Sequence, residues 1–366
     1  MADVSVAMAT YNGGRYIRQQ LESLASQHHL PAELVVADDA SNDETLLIVK
    51  DFARTAPFQI RLHRNTNRIG YRATFMRAAS LCRSELISFC DQDDIWDARK
   101  ISRCVERFSD PDVLLVYHDA DVVNEKGEVI GTLDQSASSK PLGSSSAHPF
   151  GSVFGFTQTF RRSLLSLSEL WPMSLDHTEP GGARMAHDQW YFFLASAFGL
   201  AVHLDARLAA YRQHGRNVSG WADKQGTLNR LVHSLNFHGR AEQLALWEIA
   251  ARRRAAILEQ MQLLPTWGSR ARIKPENYHV LAELYGARGR IYASANTIRR
   301  WRAFHSLVMR NGYRATSGGG LGAQALVADL VLGVPAGHLL STITGRLGRS
   351  ARLRRWLKRP ALPSRG

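Results

Sequence analysis

Three aspartates lie within four residues in the segment CDQDDIWDARK, which covers positions 90–100. Asp91, Asp93 and Asp94 come directly after the apolar run at 86–89. Carboxylates packed this closely repel one another and raise each other's pKa unless a cation neutralises them. Mg²⁺ or Mn²⁺ would suit, because a hard divalent cation takes oxygen ligands and often binds through carboxylates together with substrate phosphates. The alternatives are a solvated acidic turn, or caps for a helix that starts near Asp97.

Two further polar clusters also follow apolar runs. Thr-Tyr-Asn at 10–12 follows the run at 4–8, and Asp38 and Asp39 follow the run at 34–37. A carboxylate at such a position could accept the imide N–H of a uracil or thymine ring, or it could cap the next helix. Asn67 and Gly70 belong to RNTNRIG, a turn that would let the backbone approach a nucleotide closely.

The elements that must position these clusters alternate between strand and helix. Apolar runs at 4–8, 33–37, 59–63 and 86–89 are typical of buried strands, and helical periodicity follows the first two. This alternation predicts an α/β fold with a mainly parallel sheet flanked by helices. Ligands of such sheets bind beyond the carboxyl ends of the strands, so we expect the polar clusters to converge.

The order of these motifs resembles that of family 2 glycosyltransferases of the GT-A fold. The segments that carry the resemblance are VSVAMATYNGGRYIRQQLESLASQ, ELVVADDASND, RNTNRIG and SFCDQDDIWDARKI. DQDDIW, with the later YRQHGRN, is similar to the rhamnosyltransferase-like branch of the family. We therefore expect a GT-A catalytic domain at 1–220 and a mainly helical, basic C-terminal region at 221–366.

The resemblance also implies roles for individual residues. Asp188 in HDQW matches the catalytic base, although His187 stands where many relatives have an acid. Asp91 and Asp93 match the metal-binding DxD pair, and His214 in YRQHG matches a later histidine near the metal or diphosphate. Without the resemblance, Asp188 would read as a helix cap and His214 as a structural histidine. The expected nucleotide-sugar site comprises Thr10, Tyr11, Asn12, Asp38, Asp39, Asn67, Gly70, Asp91 and Asp94.

These matches imply an inverting, metal-dependent glycosyltransferase of cell-surface polysaccharide synthesis. The donor would be a dTDP- or UDP-linked sugar, with rhamnose suggested by the branch, and the acceptor a hydroxyl of a glycan or lipid-linked molecule. A nucleotidyltransferase on a similar sheet is an alternative, although ATYNGGRY is a weak match to its phosphate loop. A dehydrogenase is excluded because no GxGxxG follows the first strand.

The charge of the chain raises a different alternative. Its 46 Lys and Arg exceed its 33 Asp and Glu, giving a net charge of +13 that favours anionic partners. The tail from Arg346 to Arg359 interleaves basic residues with Leu and Trp, as helices at membrane surfaces do. The same tail could instead pack on the catalytic domain, form an oligomer interface or contact nucleic acid.

A non-catalytic protein that binds membranes or nucleic acid would use this charge but leave the acidic strand ends unexplained. We therefore expect no nucleic-acid partner. The N-terminus does not read as a signal peptide, and the three cysteines form no CxxC pair. We expect a cytoplasmic protein that is peripheral on the inner face of the membrane.

Overall fold

Nine strands of the computed structural model form one mixed sheet. The structure describes residues 2–136, 150–179, 181–215, 239–314 and 320–336. The strands are β1 Val4–Thr10, β2 Glu33–Asp38, β3 Gln59–Arg64, β4 Leu86–Cys90, β5 Ile95–Trp96, β6 Val113–Val123, β7 Val129–Leu133, β8 Thr159–Arg161 and β9 Leu200–Arg212. The helices are α1 Ile17–Ala25, α2 Thr45–Phe52, α3 Tyr71–Leu81, α4 Lys100–Val105, α5 His187–Phe198, α6 Arg240–Gln262, α7 Pro265–Gly268, α8 Pro275–Ala293, α9 Thr297–Met309 and α10 Ala323–Ala328. Shorter 3₁₀ segments lie at Glu106–Ser109, Gly155–Thr157 and Arg162–Met173, and a π-helical turn at Asp329–Gly333.

The strand order brings the carboxyl ends of the first strands together. The order is β3-β2-β1-β4-β8-β6-β9-β5, with β7 paired to β6. Neighbours from β3 to β4 are parallel, and Thr10 pairs with Asp38 while Met8 pairs with Cys90. The polar clusters that follow β1, β2 and β4 therefore meet at one edge of the sheet, as the sequence predicted.

The predicted α/β class is confirmed, and the sheet is parallel through its first four strands. Beyond β4, the pairs β4–β8, β6–β8, β6–β7 and β5–β9 are antiparallel, whereas β6–β9 is parallel. Apolar periodicity reports which residues are buried and not the direction of pairing, so this mixture could not be predicted from the sequence.

Both faces of β1, β2 and β4 are buried. Val4, Val6 and Met8 of β1 belong to one apolar core with α1, whereas Ala7 belongs to a second core with α3 and α5. Successive side chains of a strand point to opposite faces, so a strand covered on both sides becomes a continuous apolar run. This double burial explains why the segments at 4–8, 34–37 and 86–89 are mostly apolar on both faces.

The C-terminal helices pack against the sheet domain. The core that contains Phe193 of α5 continues through Leu244 of α6 and Tyr278 of α8. The backbone N–H of Arg272 donates to the carbonyl of Ala197 at 2.8 Å. The predicted helical character of this region is confirmed for the part described after residue 239, where no helix is long and apolar enough to cross a bilayer. The predicted boundary at 220 and the tail at 346–359 lie outside the described residues.

Candidate active site

A cleft of about 960 Å³ opens at the carboxyl edge of β1, β2 and β4. It brings together most of the residues that the sequence singled out. Those that line it are Thr10, Tyr11, Asn12, Asp39, Gly70, Asp91, Asp93, Asp188 and His214. Asp38, Asn67 and Asp94 do not line it.

The aspartates that follow β4 form a compact group of carboxylates. Asp91, Asp93 and Asp94 each place one oxygen within 4.8 Å of the others. Burial, followed by the charges of Asp93 and Asp188, raises the pKa of Asp91 to about 8. Burial likewise raises the pKa of Asp94 well above its usual range. A group of carboxylate oxygens at the cleft, whose ionised forms repel one another, is the donor set that a hard divalent cation prefers.

Asp94 supports the acidic group from below the cleft. Its side chain is fully buried, and Oδ1 accepts the backbone N–H of Arg212 at 3.0 Å. Oδ2 has no hydrogen-bond partner among the described residues. An unpartnered buried carboxylate oxygen beside two others fits Mg²⁺ or Mn²⁺, because a cation would offset the cost of burying it.

His214 lies against the acidic group on the side of β9. Its Nε2 is 2.8 Å from Oδ2 of Asp93, and its ring stacks on Tyr16 with the centroids 5.1 Å apart. The predicted grouping of His214 with Asp93 is therefore present in the geometry. An imidazole in this position can ligate the same cation as Asp93 or contact a diphosphate.

Arg212 fixes this corner of the cleft, and sequence reasoning did not single it out. The side chain is 2% exposed. Its Nε donates to the carbonyl of Asp93 at 3.0 Å, and Nη2 donates to Oε1 of Gln19 at 2.6 Å. Its guanidinium also lies over the Tyr16 ring. Arg212 thereby ties the acidic loop to α1 and to the end of β9, which His214 follows, by contacts too distant in sequence to be read from a motif.

Lys100 is a second buried cation near the carboxylates that the sequence did not single out. The side chain is fully buried, and Nζ lies 3.3 Å from the centroid of the Trp96 ring. Burial lowers its pKa to about 8. Its charge partly offsets those of Asp91 and Asp94. In the sequence, the one sign of this role is that Lys100 comes shortly after the acidic group, on the first turn of α4.

The loop after β1 is held in place by its neighbours. The backbone N–H of Tyr11 donates to Oε1 of Gln92 at 3.0 Å, and Nε2 of Gln92 donates back to the Tyr11 carbonyl at 3.2 Å. Asn12 takes a left-handed backbone conformation with φ of 48°. The aromatic ring of Tyr11 is partly exposed in the cleft, and the Arg68 guanidinium lies 4.0 Å from its centroid.

Asp38 is part of the scaffold of the cleft. It is fully buried, and Oδ1 accepts the hydroxyls of Thr10 at 2.9 Å and Ser41 at 2.5 Å. Its Oδ2 accepts the backbone N–H of Ser41 at 2.9 Å. Asp38 therefore holds the loops after β1 and β2 together, whereas its neighbour Asp39 lines the cleft.

Asp39 organises the loop that leads into α3. Its Oδ1 accepts the N–H of Ile69 at 2.7 Å and Nδ2 of Asn65 at 2.9 Å, and its Oδ2 accepts the N–H of Gly70 at 2.8 Å. Asn67 is exposed, so Asn65 is the asparagine of RNTNRIG that reaches the site. Both asparagines fit a turn equally well in the sequence, and only the fold distinguishes them.

Asp188 opens α5 on another wall of the cleft. Burial raises its pKa to about 6. Its Oδ1 accepts the N–H of Gln189 at 2.7 Å. A carboxylate with this pKa is mostly ionised at neutral pH and can still take up a proton, which are the properties of a general base.

His187, beside Asp188, is a neutral residue of the wall. Its ring stacks on Phe75 with centroids 3.8 Å apart and meets the edge of Phe89 at 4.6 Å. Burial lowers its pKa to about 3. The position therefore adds no charge next to Asp188.

The loop before α5 is fastened by an ion pair that the sequence did not indicate. Arg72 Nη2 lies 2.7 Å from Oδ2 of Asp176, and the Asp176 carboxylate is almost fully buried. The charge of Arg72 acts to lower the pKa of Asp188, whereas that of Asp176 acts to raise it. The pair thus links α3, the 174–186 loop and Asp188.

Residues 5–166 match the family model described as Glycosyl transferase family 2. This match identifies a domain of that family at residues 5–166, as the order of the motifs implied, and the fold is of the GT-A type.

Relatives share this domain but extend beyond the match. The chain is 28% identical over 222 residues to an uncharacterised glycosyltransferase of a Nostoc species, covering 58% of this chain and 66% of that protein. It is 34% identical over 105 residues to the dTDP-rhamnosyl transferase RfbG of Shigella flexneri, covering 27% of this chain and 36% of RfbG. The matches thus span less than two thirds of either relative.

A crystal structure of S. aureus TarS residues 1–349 in complex with UDP-GlcNAc has a similar fold. The TM-score is 0.50, and the superposition covers 83% of this chain and 85% of TarS. Only 16% of the residues are identical, so the similarity concerns the fold.

Proposed function

We propose that the protein is an inverting glycosyltransferase that transfers a sugar from a nucleotide diphosphate donor to an acceptor hydroxyl. The observation that carries this proposal is the meeting of the acidic group and Asp188 in one cleft, close enough for the charges of Asp91 and Asp188 to interact. A single displacement needs a site for the departing diphosphate and a base on the other side of the reacting carbon. In the proposal, the acidic group forms the site for the departing diphosphate and Asp188 is the base.

The donor would lie between the loop after β1 and the acidic group. Thr10, Tyr11, Asn12 and Gly70 would surround the nucleoside, with Asp39 facing the pyrimidine. Asp91, Asp93 and His214 would hold Mg²⁺ or Mn²⁺, and Asp94 would support them. When bound, the cation would offset the negative charge that develops on the diphosphate.

The acceptor would approach from the side of α5. Asp188 would accept the proton of the attacking hydroxyl while the oxygen forms a bond to the anomeric carbon and the bond to the diphosphate breaks. Attack from the face opposite the leaving group inverts the anomeric centre. The raised pKa of Asp188, about 6, supports this role because the group is ionised at neutral pH and more basic than an ordinary aspartate.

The identity of the sugar is the finer part of the proposal. DQDDIW and the similarity to the Shigella dTDP-rhamnosyl transferase favour rhamnose on deoxythymidine diphosphate, with UDP-sugars as the next choice. A glycan or lipid-linked acceptor in cell-surface polysaccharide synthesis would place the protein in the cytoplasm, at the inner face of the membrane. Fold similarity alone does not choose among donors.

The test is turnover of defined donors by the purified chain. The protein is incubated with dTDP-rhamnose, UDP-glucose, UDP-GlcNAc or GDP-mannose, each with Mn²⁺ or EDTA, and released nucleotide diphosphate is measured with and without membrane extract as acceptor. Proton NMR of the first product gives its anomeric configuration. Metal-dependent release from a dTDP- or UDP-sugar, with inversion, is expected.

Controls separate the parts of the proposal. Asp93→Ala should abolish release, whereas Glu22→Gln, at an exposed position on α1, should not change it. A retained anomeric configuration would contradict the single displacement. Full activity of Asp93→Ala in Mn²⁺ would contradict the metal site.

A further inference from the structure

The outer side of α9 is unusually apolar for a surface helix. Ile298 is 65% exposed, Trp301 is 50% exposed and Met309 is 69% exposed, and Val308 is also exposed. At 100° per residue these four side chains, with His305, fall within an arc of roughly 100°. We call these five residues the α9 face.

The inner side of α9 accounts for the packing of the helix. Its buried residues are Arg300, Phe304 and Leu307, whose arc on the helical wheel is centred about 120° from the centre of the α9 face. The α9 face is therefore not needed to attach the helix to the protein. Scattered apolar residues are common on protein surfaces, but a contiguous set on one helical arc indicates a surface that binds something.

The charge around the α9 face is of one sign. Between positions 290 and 336 the sequence has six arginines, no lysine and a single acid, Asp329. Arg299, Arg302 and Arg310 are exposed and continue around α9 from the edge of the apolar arc. Asp329 is fully buried, where Arg288 binds both of its oxygens, so it adds no negative charge to this surface.

A second apolar group lies on the segment packed beside the start of α9. Val327, Leu330 and Val331 are each about half exposed, on α10 and the π-helical turn that follows it. Arg300 joins the two segments, because its Nε donates to the carbonyl of Val334 at 2.7 Å and its Nη2 to that of Pro335 at 3.0 Å. The two apolar groups thus belong to one packed unit of the protein.

We propose that the α9 face docks on an anionic phospholipid surface. Tryptophan with isoleucine, valine and methionine on one arc, flanked by arginine, is the composition of a helix that lies in the membrane interface. The arginines complement lipid phosphates while the apolar side chains enter the boundary of the acyl chains.

The composition of the α9 face argues against three other binding partners: a second copy of the protein, its own basic tail and a nucleic acid. A second copy of this face, or the basic tail at 346–359, carries the same sign of charge and would be repelled. A nucleic acid would use the arginines but leave the apolar arc in water. The proposal is independent of the proposed transfer activity, since it concerns another part of the molecule and a binding assay without donor or acceptor.

The experiment is co-sedimentation of the full chain with vesicles of two compositions. Vesicles of phosphatidylglycerol and phosphatidylethanolamine should bind the protein at 0.1 M salt, and vesicles of phosphatidylcholine should bind it weakly. Arg302→Gln with Arg310→Gln should lower the partition coefficient about fivefold for each arginine. Ile298→Ser, Trp301→Ser and Met309→Ser together should lower it about tenfold or more.

Matched controls test whether any exposed change has the same effect. Leu47→Ser and Arg54→Gln are exposed substitutions on and after α2, on the sheet domain, and should leave vesicle binding unchanged. Each variant is used only if its melting temperature equals that of the parent, so a folding defect is not read as lost binding.

Three results would overturn the proposal. The first is an absence of binding to anionic vesicles, and the second is binding that the α9 variants do not reduce, which would assign it to the tail. The third is an oligonucleotide that binds with the same dependence on Arg302 and Arg310 but with no dependence on Trp301. The proposal is supported if both α9 variants lose binding to anionic vesicles and both controls keep it.

Discussion

Asp188 is the residue on which the proposed chemistry depends most directly. Asp188→Asn keeps the size and the helix position of the side chain but cannot accept a proton. We expect kcat to fall by about 10²–10⁴, the usual contribution of a positioned base, with the affinity for nucleotide diphosphate unchanged. Steady-state kinetics and calorimetric titration measure the two effects, and Glu22→Gln is the control.

The pH dependence of turnover gives the same residue a second test. Because the base must be ionised and the pKa of Asp188 is about 6, kcat/KM should fall about tenfold per pH unit below pH 6. The Asp188→Asn variant should lack this acid limb. An unchanged limb in the variant would assign the titration to another group.

Asp91 is expected to be a source of instability when no cation is bound. Its pKa is raised to about 8 in the folded protein, above its value in an unfolded chain. The stability that the protonated Asp91 contributes is therefore fully present below about pH 4 and is lost as the pH rises towards 8. Asp91→Asn in EDTA at pH 8 should therefore raise the free energy of unfolding by about 1–3 kcal/mol and abolish the stabilisation by Mn²⁺. Denaturant melts with and without Mn²⁺ measure both, and a variant less stable than the parent in EDTA would contradict this account.

At the residue scale, the sequence predicted side chains that follow strands and missed those that act across the fold. Asp91, Asp93 and Asp39 could be found because polar clusters at parallel strand ends must converge. Arg212 and Asp176 could not, because their partners are up to 193 positions away and no local pattern marks them. Asn65 and Asn67 fit the same turn, so the sequence alone does not show which of them contacts Asp39.

At the scale of elements, the loop between β3 and α3 is held by one glycine. Gly70 has φ of 85° and ψ of 155°, a conformation that is essentially restricted to glycine, and its N–H donates to Asp39. Gly70→Ala should cost about 1–3 kcal/mol of stability and weaken donor binding, because the N–H would turn away from Asp39. KM for the donor should rise while kcat changes little.

Gly127 supplies the matched control for this element. It also has φ of 85°, has open space around its missing side chain and does not line the cleft. Gly127→Ala should therefore cost stability without a change in donor KM. Equal effects of the two variants on KM would show that Gly70 acts only through stability.

The elements themselves were predictable where burial is uniform. The first four strands are parallel and joined through helices, and β1, β2 and β4 are almost fully buried, so apolar runs marked them well. From β5 onward, strands such as Ile95–Trp96 and Thr159–Arg161 are too short to leave a period in the sequence. Their pairing is set by tertiary contacts instead.

For the whole molecule, we predict that the sheet domain and the C-terminal helices unfold together, because one apolar core runs through both. A substitution at Asp329 tests this prediction, because Asp329 lies among the C-terminal helices. Its buried carboxylate is bound by Arg288, Tyr292 and Tyr313. Asp329→Ala should cost about 3–5 kcal/mol by leaving Arg288 without its charge partner. Calorimetry should show one transition, at a lower temperature than in the parent.

The double variant Arg288→Met with Asp329→Leu separates charge from packing. It removes both charges and should recover much of the lost stability. Two transitions, with only one of them shifted by Asp329→Ala, would instead mean that the predicted regions 1–220 and 221–366 fold independently.

The most direct test of the central claim is a thermal-shift measurement of the whole chain with nucleotide diphosphate sugars. dTDP-, UDP- and GDP-sugars are each added with Mn²⁺ and with EDTA, to the parent and to Asp93→Ala. The account predicts stabilisation by a dTDP- or UDP-sugar that needs Mn²⁺ and is lost in Asp93→Ala, about 2.7 kcal/mol at a hundredfold excess over Kd. Stabilisation that persists in EDTA and in Asp93→Ala would contradict the metal-bridged donor site.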